Sequence, residues 1–558
     1  MIQEPDSTRV RRAAWLEVAF VSVVSLLYGG TLIWARWGYQ ASADSYYHFA
    51  VGREIARGHW LSELEPRLPW TILEQWPVDH YFGFHLLLAP FALLPSALWG
   101  LKLATLLFFV AVPLCVFWFL RARGVPFAWA WCFVPVLFAN QDWRYLMLRG
   151  GNWLLVLSIA LLHFAFFTPH QRKRRLGIVL VSYVATLSYQ GGIILLPLHL
   201  AALLSACCFR WSEVERQRLL EPLLTGLGLA LGFLVNPYMN ASAATFRFLW
   251  FHVGYMNLDP AGLYPGLREF GPVPLAYLPA NPELIVAPVL LLAAAAWLSF
   301  GALRRRPPSY ALSVLLGAAL VGLVLTARAI RMREYSVPWA VLFFALFAAP
   351  LRFPWPMPLL RRIAAPALAA FVCILLLLKW PNTFDLLGEH LPSAQYAGAL
   401  PLLQAYRGPP VLDVAEGDYT TLRWEDPDVT AVQGLSHYFL YPNRPVFADV
   451  TALRESNSVA ERLAAARRFY DRGVRLVAVQ HRNSAFALCE RYASAFHLAY
   501  RSSPAEVEAQ FRSSIYVLDR AGLEATTAWL NRFWDEAEAR LRLVAENTKP
   551  KRKAADRG

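Results

Sequence analysis

Residues 43–60 read ADSYYHFAVGREIARGHW, and they come soon after the long apolar run 15–34. An acid, two tyrosines and a histidine behind a membrane span can hold a polar head-group at the water boundary while its lipid tail stays in the bilayer. The competing interpretation is an interfacial belt, because Trp and Tyr gather at membrane boundaries in any protein with several spans. We expect the chemistry of this chain in this stretch.

The composition is that of a membrane protein. Of 558 residues, 57% are hydrophobic and 16% are charged, against roughly 25% charged in soluble domains. The formal net charge is +14, but Lys and Arg occur in short clusters between apolar runs. This pattern indicates topology signals and no nucleic-acid partner. The six cysteines have neither a disulfide framework nor zinc spacing.

About eleven apolar runs are predicted to cross the membrane. The first resembles a secretory signal, but it has the length of a bilayer, which favours an uncleaved span. The run 81–94 is short and divided by Pro90, so we interpret it as a helix in the membrane interface. The predicted spans are residues 15–34, 97–120, 127–139, 153–167, 176–189, 193–208, 219–235, 284–303, 310–327, 335–350 and 363–380.

This assignment puts all five internal basic clusters on the side of the N-terminus, as the positive-inside rule requires. The N-terminus is therefore predicted to be cytoplasmic in a multi-pass protein of the cell inner membrane. The regions predicted to be external, or periplasmic, are the first loop 36–96, the loops 140–152 and 236–283, and everything after residue 380.

The chain is predicted to have three parts. Residues 1–380 form the membrane domain, residues 381–548 a soluble external α/β domain, and residues 549–558 a basic disordered tail. The expected strands of the soluble domain are 411–414, 429–432, 474–479 and 514–518, and its expected helices are 458–470, 484–500 and 523–544. The predicted fold class is a polytopic α-helical membrane protein with a C-terminal soluble α/β domain.

The order of these features is similar to the GT-C superfamily of integral-membrane glycosyltransferases, and within it to the catalytic subunit of oligosaccharyltransferases. Asp44-Ser45-Tyr46-Tyr47-His48-Phe49-Ala50 resembles that family's first-loop motif, an aspartate followed by aromatic residues and a short helix. Arg149-Gly150-Gly151-Asn152 resembles a second motif, with Asn152 in place of an acid, and residues 328–335 resemble the Arg-rich start of a late span that faces the lipid phosphate. The Trp-Trp-Asp acceptor motif of the family is absent, and residues 417–422 and 432–441 resemble the tail of uncharacterised bacterial GT-C-like membrane proteins.

The resemblance implies a glycosyltransferase that takes a sugar from a polyprenyl-phosphate or polyprenyl-diphosphate donor in the membrane lipid and passes it to a protein or glycan acceptor. Such a reaction needs a base or a metal-held carboxylate at the acceptor and positive charge at the leaving phosphate, and an Arg fork can bind phosphate in a bidentate way. A divalent cation, Mg²⁺ or Mn²⁺, is expected at Asp44 and Asp79. The expected catalytic residues are Asp44, Asp79 and His80, and the expected substrate-binding residues are Tyr46, Tyr47, His48, His85, Arg149, Asn152, Arg331 and Arg333.

Other interpretations stay open at this point. His80 and His85 could anchor the interfacial helix by hydrogen bonds, and Arg331 and Arg333 could pair with Glu334 or with lipid head-groups. Asp142 and Arg144 are interpreted as an ordinary surface ion pair. A transporter is disfavoured because the spans carry few charges away from their ends. The main alternative function is a non-catalytic GT-C-derived scaffold or assembly protein of envelope glycan synthesis.

Overall fold

The structure is a computed structural model, and the chain divides into two compact units. The first comprises residues Met1–Glu65 and Trp76–Leu391, and the second Pro66–Gln75 and Pro392–Gly558. The structure describes residues 7–35, 43–59, 68, 70–71, 74, 79–138, 142–238, 283–304, 307–329, 332–350, 358–388, 395–414, 418–426, 428–433, 440, 443–503, 507 and 512–547. The predicted tail 549–558 lies outside them.

The first unit is helical. Its α-helices, α1 to α15 in chain order, are Ser7–Ala35, Ala43–Ala56, Phe82–Ala92, Ala97–Arg121, Ala128–Trp131, Val134–Leu137, Asp142–Tyr145, Gly150–Phe167, Gln171–Ser188, Leu195–Arg210, Glu221–Val235, Glu283–Leu303, Tyr310–Arg328, Arg333–Ala348 and Pro358–Gly388. Short 3₁₀ turns lie at Gln190–Ile194, Trp211–Glu213 and Arg216–Leu220.

Eight helical segments of the described residues are long and apolar enough to cross a membrane. They are Ala14–Ala35, Ala97–Arg121, Gly150–Phe167, Gln190–Glu213, Arg216–Val235, Leu284–Leu303, Tyr310–Arg328 and Ala364–Phe384. The other three predicted spans are also helical. The run 127–139 forms the two short helices α5 and α6, the run 176–189 lies in α9 behind a basic first turn, and the run 335–350 lies in the 16-residue α14. The membrane-protein fold class is confirmed.

The short helix α3 is enclosed by protein on the side that carries Phe84, His85 and Leu88, which are all fully buried. It packs closely on α2, where a Cβ at Gly52 would lie 2.9 Å from Cβ of Leu88. Any larger side chain at position 52 would push the two helices apart. This close approach fixes the first-loop motif against the segment that follows it.

The second unit contains a four-stranded sheet in the order β1-β2-β4-β3. Strand β1 pairs with β2 in parallel, and β4 is antiparallel to both β2 and β3. Trp70, from the first loop, packs against the core of this unit. The strands are Val411–Asp413, Leu476–Gln480, Phe496–Arg501 and Ser513–Leu518, and the helices α16 to α21 are Leu400–Ala405, Asp418–Glu425, Arg444–Glu455, Val459–Asp471, Ser484–Arg491 and Arg520–Asn547.

Three details of the sequence prediction differ from the structure. The predicted helix 484–500 ends at Arg491, because Tyr492 leaves the helical conformation and the following residues pair with β4 as strand β3. The segment 429–432 forms only an isolated bridge from Ala431 to Val411. Helix α15 continues past the predicted boundary at residue 380, and the first unit extends to Leu391.

Candidate functional site

Three polar side chains from helices α2 and α3 and the turn before α3 form a continuous hydrogen-bonded chain. The Asp79 carboxylate accepts a hydrogen bond from Nδ1 of His85 at 2.7 Å, and Nε2 of His85 lies 2.8 Å from Nδ1 of His48. The three side chains are buried, with relative exposures of 5%, 0% and 3%. We call Asp79, His85 and His48 the Asp–His–His chain; it joins two residues expected to bind substrate to one expected to be catalytic.

Asp79 also orders the start of helix α3. Its second carboxylate oxygen accepts the backbone N–H of Tyr81 at 2.8 Å, which satisfies one of the donors that a helix start leaves unpaired. Both carboxylate oxygens of Asp79 are therefore engaged by protein groups.

His80 is not part of the Asp–His–His chain and contacts Gln190 instead. Its Nδ1 lies 2.7 Å from Oε1 of Gln190, and its backbone oxygen accepts the N–H of Gln190 at 3.2 Å. Burial lowers the pKa of His80, against the opposing effects of the Gln190 hydrogen bond and the Asp79 charge. These contacts tie the start of α3 to the turn Gln190–Ile194, and the catalytic role of His80 stays a prediction.

Aromatic rings surround the Asp–His–His chain. Tyr81 stacks on Tyr189 with ring centroids 4.9 Å apart, and its centroid lies 4.4 Å from that of His48. Tyr47 contacts His48 and His85 edge to face, at centroid distances of 5.4 and 5.9 Å. Tyr46, one position earlier on α2, is fully buried. These rings shield the two imidazoles from water and fix the orientation of the imidazole planes.

Asp44 lies in the first turn of helix α2 and is half-buried. A carboxylate in the first turn is favourable because the helix dipole is positive there. His48 follows four residues later, so both side chains lie on the same face of the helix. The structure thus places the predicted catalytic acid on the helix face that carries the histidine.

A second buried cluster contains two arginines that share one carboxylate. Arg144 and Arg149 both donate to Oε1 of Glu334, and Tyr145 donates its hydroxyl to the backbone oxygen of Glu334 at 3.3 Å. All three charged side chains are buried. The interpretation of Arg144 as a surface residue is wrong, because the side chain is buried and donates to a buried acid on helix α14, 190 positions away. The side chain of Asp142, its predicted partner, lies outside the described residues.

Gly151 permits this cluster to form. A Cβ at that position would lie 3.1 Å from the hydroxyl oxygen of Tyr335 and 3.5 Å from a carboxylate oxygen of Glu334. The absence of a side chain lets helices α8 and α14 approach each other, which brings Arg149 to Glu334.

Asn152 has a structural partner for its amide. Its Nδ2 donates to the backbone oxygens of Tyr145 and Met147 at 2.8 and 2.9 Å. Ser45 of the first-loop motif accepts the backbone N–H of Leu148 in the same loop at 3.0 Å. An amide can donate two hydrogen bonds and a carboxylate none, so the loop geometry explains the asparagine at this position.

An apolar groove lies beside this cluster. It consists of two neighbouring cavities of about 370 Å³ each, bounded by helices α5, α6, α12, α13 and α14. Arg333, which is buried and opens helix α14, lines the first cavity. The walls common to both cavities are Phe138, Ala287, Val337 and Ala340. Arg331, the other arginine expected to bind phosphate, lies outside the described residues.

The described residues do not bring three or more His, Cys, Asp or Glu side chains together as a metal site. Each oxygen of Asp79 accepts one hydrogen bond and keeps a second lone pair, so the role of Asp79 as a metal ligand stays a prediction.

No family model matches the sequence, and no curated protein matches it. Among the solved structures that match are several of an oligosaccharyltransferase from Archaeoglobus fulgidus. The archaeal oligosaccharyltransferase AglB in complex with an inhibitory peptide and a dolichol-phosphate is 14% identical with a TM-score of 0.54, over 89% of this chain and 74% of that chain. The form tethered to an acceptor peptide with the NVT sequon is 13% identical with a TM-score of 0.53, over 90% of this chain and 74% of that chain. The complex with Zn and sulfate is 14% identical with a TM-score of 0.53, over 87% of this chain and 72% of that chain. The chain therefore has a fold similar to that of this archaeal oligosaccharyltransferase.

Proposed function

We propose that this protein is a membrane glycosyltransferase that moves a sugar or oligosaccharide from a polyprenyl-phosphate or polyprenyl-diphosphate donor to an acceptor on the external face of the inner membrane. The observation that carries the proposal is the apolar groove with the buried Arg333 in its wall. A solved structure of similar fold binds a dolichol-phosphate, a ligand with the same division into apolar tail and anionic head.

The groove suits a lipid chain because its walls are almost entirely apolar. A charged side chain within a membrane domain is costly, and such residues usually serve a functional site. Arg333 also opens a 16-residue helix, whose N-terminus favours an anion. The lipid tail would lie in the groove with its phosphate at Arg333, and Arg331 would contribute from the same segment.

The neighbouring ion cluster adds to this attraction. Arg144, Arg149 and Arg333 are buried close to Glu334, which accepts from the first two. These three cations would attract a donor phosphate. Positive charge held in place before the reaction stabilises a leaving phosphate with little reorganisation.

Asp44 is the catalytic carboxylate of this proposal, as a base or a cation ligand, with Tyr46 and Tyr47 shaping the site. A divalent cation, Mg²⁺ or Mn²⁺, is proposed at Asp44 and Asp79, since each oxygen of Asp79 keeps a lone pair beside its hydrogen bond. An ion there would stabilise negative charge on the donor. A solved structure of similar fold is a complex with Zn and sulfate.

The experiment measures binding of radiolabelled polyprenyl phosphate to the full-length protein in lipid nanodiscs. Arg333→Ala should weaken binding roughly 10-fold to 100-fold, because a hydrogen bond to a charged group contributes about 1.5–3 kcal/mol. Arg333→Lys should retain part of the affinity. Arg304→Ala is the matched control. Arg304 is exposed, lies just beyond the end of helix α12 and stacks on Phe300 of that helix.

Release of sugar from a polyprenyl-diphosphate sugar, followed in the same preparation, tests turnover. Unchanged lipid affinity in Arg333→Ala would contradict the phosphate site. Wild-type protein that binds the lipid but never releases sugar would favour the scaffold alternative.

A further inference from the structure

We propose that the second half of helix α21 lies on the surface of the lipid bilayer, with Trp529, Phe533 and Leu541 as the side chains that face the lipid. The inference goes beyond the proposed function and does not rest on sugar transfer. The observation behind it is an apolar stripe that begins in the core of the second unit and continues along the same helix past that core.

The stripe follows the period of an α-helix. Leu523 and Leu530 are buried in the hydrophobic core of the second unit, with exposures of 0% and 5%. Offsets of three, seven and eight residues keep side chains on one face of a helix, and they lead from these two residues to Phe533 and Leu541. Those two side chains are 51% and 69% exposed. Helix α21 therefore carries an apolar face past the point where the protein covers it.

Trp529 widens the exposed part of the stripe. Its ring stacks on that of Phe533, with centroids 5.7 Å apart and an angle of 21° between the planes, and the residue is 50% exposed. Trp favours the boundary between membrane and water, because its ring is apolar while its N–H keeps a polar contact. A helix with Trp, Phe and Leu on one face typically lies in this boundary, with that face buried about 5–10 Å.

The opposite face of the helix is polar. Asp535, Glu538 and Arg542 are exposed there, and Arg542 donates to Glu538 at 2.7 Å. Charged pairs one turn apart are typical of a helix face that stays in water. The two faces together give the amphipathic pattern of a helix at a membrane surface.

The charge at the end of the chain fits an anionic surface. Residues 540–558 contain seven Lys or Arg and two Asp or Glu, which is a net charge of +5. Basic residues beside an amphipathic helix are attracted to anionic phospholipid headgroups. The chain also brings its own bilayer, because only residues 385–391 separate the last span from the second unit. Such a short connection keeps lipid at a high effective concentration near the helix.

A second copy of this chain fits the stripe less well than lipid does. A coiled coil needs an apolar seam of at least about three heptads, whereas the exposed stripe covers only residues 529–541. At 1.5 Å a residue this is about 18 Å of helix. A contact with lipid requires no matching seam, so the length of the stripe favours the membrane surface.

Spin-label accessibility in the full-length chain tests the inference. Nitroxides are attached to Phe533→Cys and Leu541→Cys, one at a time, in a cysteine-free background and in nanodiscs of phosphatidylglycerol and phosphatidylcholine. Asp535→Cys, on the opposite face, is the matched control. The ratio of collision rates with O₂ and with a water-soluble nickel chelate should be several-fold higher at positions 533 and 541 than at 535, because O₂ concentrates in lipid.

Each other outcome contradicts the inference. Equal ratios at the three positions would place the stripe in water and overturn it. Few collisions with either reagent at position 533 would overturn it as well, because the label would then be packed against protein. In the Leu541→Cys chain, Trp529→Ser should lower the ratio towards the value at 535, and Asp535→Ser should leave it unchanged. Equal effects of these two substitutions would overturn the role of Trp529.

Two further measurements complete the test. In nanodiscs of phosphatidylcholine alone the ratio at position 541 should fall, and an unchanged ratio would overturn the role of the basic residues. In the unmodified chain, a phospholipid with a photoreactive diazirine on its acyl chain should crosslink to a peptide containing residues 529–541 and not to the buried strand Leu476–Gln480. Absence of that crosslink would overturn the inference without any substitution.

Discussion

Replacing Glu334 with glutamine removes the negative charge that Arg144 and Arg149 share while it keeps the shape of the side chain. All three groups are buried. Loss of one partner from a buried ion pair typically costs about 3–5 kcal/mol, because the remaining charge is left without compensation. We expect Glu334→Gln to lower the free energy of unfolding by about that amount, a large fraction of the roughly 5–15 kcal/mol that stabilises a typical domain.

The control is Glu213→Gln. Glu213 pairs with Arg210 at 2.7 Å, but the two side chains are 44% and 28% exposed. Solvent screens such a pair, and its loss should cost less than about 1 kcal/mol. Both variants would be measured by reversible denaturation of the full chain in the same detergent micelles.

A double-mutant cycle isolates the interaction itself. Arg149→Met removes one of the two cations, so the combination with Glu334→Gln should cost less than the two single losses added together. Coupling of at least about 1 kcal/mol is expected for groups in direct contact. Equal costs for Glu334→Gln and Glu213→Gln, or additive losses in the cycle, would refute the shared buried ion pair.

Three further predictions concern the site and its orientation. Asp44→Asn should lower sugar transfer about 10²–10⁴-fold with little loss of stability, because an amide replaces the proposed base or cation ligand; full activity in native membranes would contradict this. Asn152→Asp should cost about 1–3 kcal/mol of stability, since a carboxylate cannot donate to the two loop carbonyls; a melting temperature equal to the wild type would refute it. In a cysteine-free background, Arg491→Cys should react with an impermeant thiol reagent from outside and Arg175→Cys should not, and the reverse pattern would invert the topology. The native Cys489 does not serve this purpose, because it is buried and burial raises its pKa, which disfavours the reactive thiolate.

The fold was largely predictable because apolar length is a property of consecutive residues. A run such as 97–120 has few ways to satisfy its backbone in a bilayer other than a helix, and it forms one. The strand 496–501 was not predictable in the same way. Only Phe496 among its residues is buried, so the segment lacks the alternation that marks a strand and is ordered by pairing with β4.

The sequence could not predict which side chains of the site contact each other. His48 and His85 could each be selected as candidates, but their contact spans 37 positions, and that of Arg144 with Glu334 spans 190. No periodic pattern links residues so far apart, since periodicity reports only neighbours on one helix or strand. Glu334 was named only as an alternative partner for Arg331 and Arg333, and its pairing with Arg144 and Arg149 emerges from the packing of α8 against α14.

The contacts of Asn152 and Asp79 bear on the choice between an enzyme and a scaffold. Asn152 stands where the resemblance implies an acid, yet its amide donates to two backbone oxygens and so holds the loop 145–148. A scaffold has no evident need for the Asp–His–His chain, because replacing buried ionic groups with well-packed apolar side chains is often neutral or stabilising. His48 of this cluster lies on helix α2, the motif helix that also carries Asp44. Three buried, hydrogen-bonded polar side chains so close in sequence to the predicted catalytic carboxylate therefore favour the enzyme over the scaffold.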